Sequence, residues 1–94
     1  VSVKWEDRTT RRPGDHSEPT ITDANLNGLH VQVHRKKGAP DRWYMTTGAL
    51  MVHGRLLKAD ILHEAQREAL LIMREQITGA LDATNSLLAR TVRT

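Results

Sequence analysis

The stretch from Ala59 to Leu88 most narrows what this chain can become, because it carries more apolar surface than one 94-residue core can use. Its middle reads Ala69-Leu70-Leu71-Ile72-Met73, an unbroken apolar run. A helix turns by about 100° per residue, so no rotation points the whole run inward. The surplus needs a second helix, another subunit or a foreign partner. Leu62, Ala69, Met73, Ile77, Ala80, Leu87 and Leu88 share one stripe of such a helix, and Ile61, Ala65, Ile72 and Ala83 widen it. That stripe reads as core for a sheet to cover. Leu71 falls opposite it, among Arg67, Arg74, Glu75 and Thr78, so Leu71, Ile72 and Ile61 form the expected oligomer or partner interface.

Asp60 suits the N-cap position, and Glu64 stands near the positive end of the helix dipole. Unbroken to Arg90, the helix would span about 46 Å. Gly79 costs roughly 1 kcal/mol relative to Ala in a helix interior, and Asp82 can cap a second helix. The favoured reading is a main helix over about 60–78 and a weaker one over about 82–90.

Upstream, the apolar period shortens to two. Leu29, Val31 and Val33 alternate with His30, Gln32 and His34, which places the first set on one face of a strand. Lys36-Lys37-Gly38-Ala39-Pro40-Asp41 follows as a hairpin-type loop, and Trp43 to Thr47 is strand-like in its aromatic and β-branched content. Leu50-Met51-Val52 resumes an extended run, His53-Gly54 makes a second tight turn, and Arg55-Leu56-Leu57 returns. Trp43 is expected under the helix beside Val31 and Val33, with Tyr44 on the outer face among the histidines. Val1 to Trp5 alternates as a strand does, whereas Glu6 to Gly28 is rich in turn chemistry and poor in apolar residues. The fold class is therefore α+β: a three- to four-stranded antiparallel meander packed against one long C-terminal helix. Residues 1–28 form an N-terminal strand and flexible basic arm, and residues 29–94 form a single small domain.

Composition narrows the chemistry. The chain has no Cys, which removes disulfides, thiolate metal sites and Cys nucleophiles. His30 and His34 share a strand face but stand about 13 Å apart, too far to share one zinc. Ser2, Ser17 and Ser86 lack the glycines of a nucleophile elbow, and Gly28, Gly38, Gly48 and Gly54 are spaced as hairpin punctuation rather than as a phosphate loop. Glu64 and Glu68 read as a solvated helix face partnered by Arg67. The expectation is a protein without enzymatic activity, metal or cofactor. No apolar run is long enough to span a membrane, and a cytoplasmic location is expected.

Charge is unevenly placed. Residues 1–58 hold ten Lys/Arg and six Asp/Glu, a balance of +4, and residues 59–94 hold four and five, a balance of −1. A basic sheet layer over a near-neutral helical layer suits a polyanion on one side and self-association on the other. The candidate nucleic-acid-binding residues are Arg11 and Arg12 in the arm, Arg35, Lys36 and Lys37 at the hairpin tip, Arg42 and Arg55 on the same edge, and Tyr44 as a stacking ring. Charged hairpin tips also serve simply to keep sheet edges from pairing.

The order strand, basic turn, strand, short turn, strand and helix, over about Leu29 to Gln76, resembles the amino-terminal arm-DNA-binding domains of phage integrases. Trp43 in the second strand and Ala65 and Ala69 in the helix carry it, as a pattern of elements and not a motif. The resemblance implies polyanion binding and a phage or mobile-element setting.

Two functions follow as expectations. The first is a non-enzymatic homodimer that self-associates through its C-terminal helix and presents a basic sheet edge or arm to DNA or RNA. The alternative is a protein-interaction module, such as an inhibitor or assembly factor, whose partner docks on the apolar helix.

Overall fold

The computed structural model describes residues 3–36 and 38–92. Its elements run β1 (Glu6–Asp7), β2 (Ile21–Leu26), β3 (Leu29–Lys36), β4 (Ala39–Thr47), β5 (Val52–Leu56) and α1 (Leu62–Val92), with a single 3-10 turn at Gly48–Leu50 before β5. The strands form one antiparallel sheet in sequence order, and α1 lies across one face of it. The class is α+β, as the alternation and the apolar stripe require, with five strands rather than three or four.

The additional strands come from the segment that the turn chemistry assigns to an arm. β2 pairs along its whole length with β3, from Ile21 opposite His34 to Leu26 opposite Leu29. Asn27 and Gly28 close this hairpin with φ of 55° and 100°, the paired left-handed conformation that a two-residue turn demands. The Asn25 side-chain carbonyl accepts the Gly28 N–H at 2.7 Å. β1 sits at Glu6–Asp7 rather than over Val1 to Trp5; Val1 and Ser2 lie outside the described residues.

The loop between β1 and β2 is tied back to the sheet. Arg8 N–H donates to the Ile21 carbonyl at 2.8 Å, and the Thr9 hydroxyl accepts from the Thr20 and Ile21 amides at 2.9 and 3.2 Å. Arg11 donates to the Ser17 carbonyl at 2.8 and 3.1 Å and to Asp7 at 2.9 Å. Hydrogen bonding from Thr9, and then from Arg11, holds the Asp7 carboxyl down from 3.8 to about 2. A depressed folded pKa contributes stability that is present above the ordinary value and lost as pH falls toward 2. An NMR titration of the Thr9 amide is expected to report a midpoint near 2, moved toward the ordinary value by Arg11→Ala. A wild-type midpoint at 3.8 would remove this tether.

The reversal between β4 and β5 also differs from the sequence reading. The turn is made by Gly48–Leu50 and by Met51, whose φ is 55°, not by His53-Gly54. Gly54 instead sits inside β5, at φ 64°, where the register with β4 shifts and its N–H donates to the Thr46 hydroxyl at 2.9 Å.

The core forms where the helix crosses the sheet. Ala24, Val31, Val33, Trp43, Met45 and Leu57 from the sheet meet Ala65, Ala69 and Met73 from the helix, all buried. Alanine at 65 and 69 lets the helix approach closely. The Trp43 indole N–H donates to the Asp60 carbonyl at 3.1 Å, and Gln66 donates to the Thr22 hydroxyl at 3.2 Å. The Glu68 carboxylate accepts the Lys58 and Ala59 amides at 2.9 Å, so it fixes the β5–α1 connection instead of standing as a solvated partner of Arg67. Asp60 is not the cap: α1 starts at Leu62, and the Ile61 carbonyl takes the first helical bond from Ala65.

Neither a break at Gly79 nor a second helix at 82–90 is present. α1 is continuous for 31 residues, about 46 Å, and a Cβ added at Gly79 would meet nothing within 4 Å. The sheet covers this helix only as far as Met73, and every residue from Arg74 to Thr91 is exposed. The molecule measures 63 × 28 × 18 Å, with a radius of gyration of 16.6 Å. A compact chain of this length would show about 12 Å. No helix among the described residues is long and apolar enough to cross a membrane.

Candidate functional site

The direction of α1 decides which apolar residues remain uncovered. The helix begins beside Trp43 and Arg35, passes Thr22 at Gln66, and so heads for the end of the sheet that carries the Asn27-Gly28 turn. Beyond Met73 no strand among the described residues is left to pack on. Ile77 (37% exposed), Leu81 (57%), Leu87 (65%) and Leu88 (55%) project past that end. Together with Ala80 and Thr84 they fall within an arc of about 120°, the same arc that holds Leu62, Ala69 and Met73. Between Gln76 and Ala89 the only charged residue is Asp82, which lies on the far side of the helix. The stripe is thus core for its first three turns and bare for the rest.

The stripe from Leu62 to Leu88 is not wholly covered, because the sheet is shorter than the helix. Leu71, Ile72 and Ile61 do not share one surface either. Leu71 lines a groove of about 400 Å³ with Trp5, Leu70, Arg67 and Arg74. Ile72 packs against the core, and Ile61 lines a separate hollow with Thr20, Arg35 and Trp43. The stripe read from the sequence already holds Ile77, Leu87 and Leu88; Leu81, at the edge of the arc, joins them.

The basic residues are similarly dispersed. Arg35 lies on the helix side, with its guanidinium carbon 4.3 Å from the Trp43 ring centroid. Arg55 is registered against buried Met45 and therefore also belongs to the helix side, at the exposed edge. Arg11 is held by Asp7 and Ser17, Arg12 is exposed in the same loop, and Lys37 lies outside the described residues. The structure does bring Lys36, Tyr44 and His34 together on the outer face, with Arg42 on that face by alternation from buried Trp43. Lys36 Nζ sits 4.2 Å over the Tyr44 ring, the Tyr44 and His34 rings stack at 6.2 Å, and His34 Nε2 is 3.0 Å from the Thr46 hydroxyl. The opposite end of this face is mixed in charge, with Glu6, Asp23 and His30 around a shallow hollow, and His30 lies 3.8 Å from Asp23.

No protein-family model matches the chain, and no curated protein or solved structure matches it either. The described residues offer two surfaces, the bare helix stripe and the polar outer face of the sheet.

Proposed function

We propose that this chain is a non-enzymatic association module whose contact element is the part of α1 beyond Met73. The observation that supports the reading is the length mismatch: a helix of 31 residues on a sheet that covers its first twelve, with the apolar stripe running on. Exposed aliphatic side chains in line on one helix face mark an interaction site when they form a patch rather than scatter. Local propensity points the same way. Gly79, Thr84, Asn85, Ser86 and Thr91 are poor helix formers, and a segment this short is marginal alone in water. A second apolar surface would supply the packing that keeps it helical.

The test is hydrogen exchange across Gln76 to Ala89. Slow exchange in the assembled protein, becoming fast when the partner is diluted away or removed, is the expected result. Tail amides that exchange like a random coil in every assembled state would refute the reading.

A second activity is favoured by one observation, the Lys36–Tyr44–His34 cluster with Arg42 on a sheet face that no helix among the described residues covers. A cation held over an aromatic ring beside hydrogen-bonding groups suits a phosphate next to a base. Lys36→Ala with Arg42→Ala is expected to lower the salt slope of DNA or RNA retention by about two. Absence of any wild-type retention at low salt would remove this activity and leave the association module.

A further inference from the structure

We infer that the outer face of the sheet takes a single-stranded nucleic acid, its bases over a row formed by Ile21, His34, Tyr44 and Leu56 and its phosphates along Lys36 and Arg42. The inference rests on the polyanion activity proposed above and adds the strandedness of the ligand and the path it follows.

The strand register builds the row. Ile21 stands opposite His34, His34 opposite Tyr44, and Tyr44 opposite Leu56, so the four are successive neighbours on β2, β3, β4 and β5. Strands lie about 4.8 Å apart, which makes the row roughly 14 Å long. Leu56 is 51% exposed although it belongs to a strand and not a turn. Both His34 nitrogens are engaged. The Arg35 carbonyl, 3.3 Å from Nδ1, can only accept, so in the neutral ring Nδ1 carries the proton and Nε2 accepts from the Thr46 hydroxyl. That hydroxyl in turn accepts the Gly54 N–H at 2.9 Å. His34 therefore offers a ligand its ring face and no free nitrogen.

One step along the strands on either side, about 7 Å away, the chemistry changes. Toward the β3–β4 hairpin stand Lys36 and Arg42, and neither makes an ion pair among the described residues. In the other direction Thr46, Gln32, Asp23 and Glu6 are registered in that order across the sheet, polar first and acidic at the far edge. A polyanion is drawn to one flank and repelled from the other, and the uncharged row lies between them. A nucleotide with its phosphate on the cationic flank sets its base over the row and its base edge toward Gln32 and Thr46. Paired bases in a duplex present no ring face to a flat sheet, whereas an unpaired base can lie against one. Lys36 marks where the exchange occurs. Its Nζ lies 4.2 Å over the Tyr44 ring, and a Cβ at Gly54 would stand 3.0 Å from it. The ammonium holds the ring face that a base would take, and its flexible stem lets it swing to the phosphate when the base arrives.

The test is fluorescence anisotropy at about 50 mM salt with a labelled dodecamer of mixed sequence, as single-stranded DNA, as single-stranded RNA and annealed to its DNA complement. At least one single strand should bind roughly tenfold or more tighter than the duplex. Tyr44→Ala should weaken single-strand binding roughly five- to hundredfold, the loss of one stacked base, and leave the salt slope in place. Lys36→Ala with Arg42→Ala should instead lower that slope by about 0.7 for each cation removed. In the unaltered protein, the Leu56 methyl resonances should move upfield with the single strand and stay in place with the duplex, a readout independent of how any variant folds. Duplex binding as tight as single-strand binding overturns this inference and leaves the polyanion activity standing. Unmoved Leu56 methyls with full single-strand affinity in Tyr44→Ala overturn the base row. Retention of neither nucleic acid overturns both.

Discussion

Trp43→Ala is expected to cost about 3–5 kcal/mol of folding stability, the range for deleting a buried aromatic ring. Three separate ties converge on this residue. Its ring is 2% exposed in the middle of the core. Its indole N–H holds the Asp60 carbonyl, the last anchor before α1, and its own carbonyl accepts the Leu57 amide at 2.9 Å. Removing the side chain leaves a cavity and strips a partner from the carbonyl that positions the helix start. Domains of this size have roughly 5–14 kcal/mol in total, so the variant should be partly unfolded at modest denaturant. Trp43→Phe should recover some of the packing and none of the hydrogen bond. Denaturant melts followed by far-UV circular dichroism give the measurement. A loss below about 1 kcal/mol for the Ala variant would mean that the helix is not seated on this ring.

Leu81→Glu with Leu88→Glu separates assembly from folding. Burial of each leucine is worth about 1.5–3 kcal/mol, so association should weaken roughly tenfold to hundredfold for each one lost from each copy. The unfolding midpoint of the sheet and first helical turns should hardly move, because these side chains lie beyond Met73 and are more than half exposed. Leu71→Glu supplies the comparison. It alters the groove beside Trp5 and should leave the sedimenting mass unchanged. Equal dissociation by Leu71→Glu would return the contact to the Trp5 groove, and an unaltered mass in the double variant would take the tail out of the interface altogether.

Much of this architecture is legible in the residues. The alternation from Leu29 to His34 places Val31 and Val33 inward, and the apolar period from Leu62 to Met73 names the helix face that meets them. β2 is harder to read because its inward residues are Thr22, Ala24 and Leu26, only the last of them large, while Ile21 points outward opposite His34. Its hydrophobic alternation is thereby weak. The signal that does mark it is Asn27-Gly28, a strong hairpin dipeptide, which implies a strand on each side. Gly79 misleads in the other direction. Its cost relative to Ala is about 1 kcal/mol, too small to break a helix that is propagating from a packed first half. The bare end of the stripe is half legible for a geometric reason: sequence gives the angular position of Leu81 and Leu88 but not the level at which β2 and β3 end.

The sheet and the bare stripe lie on the same side of α1. A helix that docks along the stripe therefore abuts the end of the sheet that carries Asn27-Gly28, while the Tyr44 face points the other way. Filling the one surface leaves the other open, so an apolar partner and a polyanion can be held at the same time on opposite sides of one sheet.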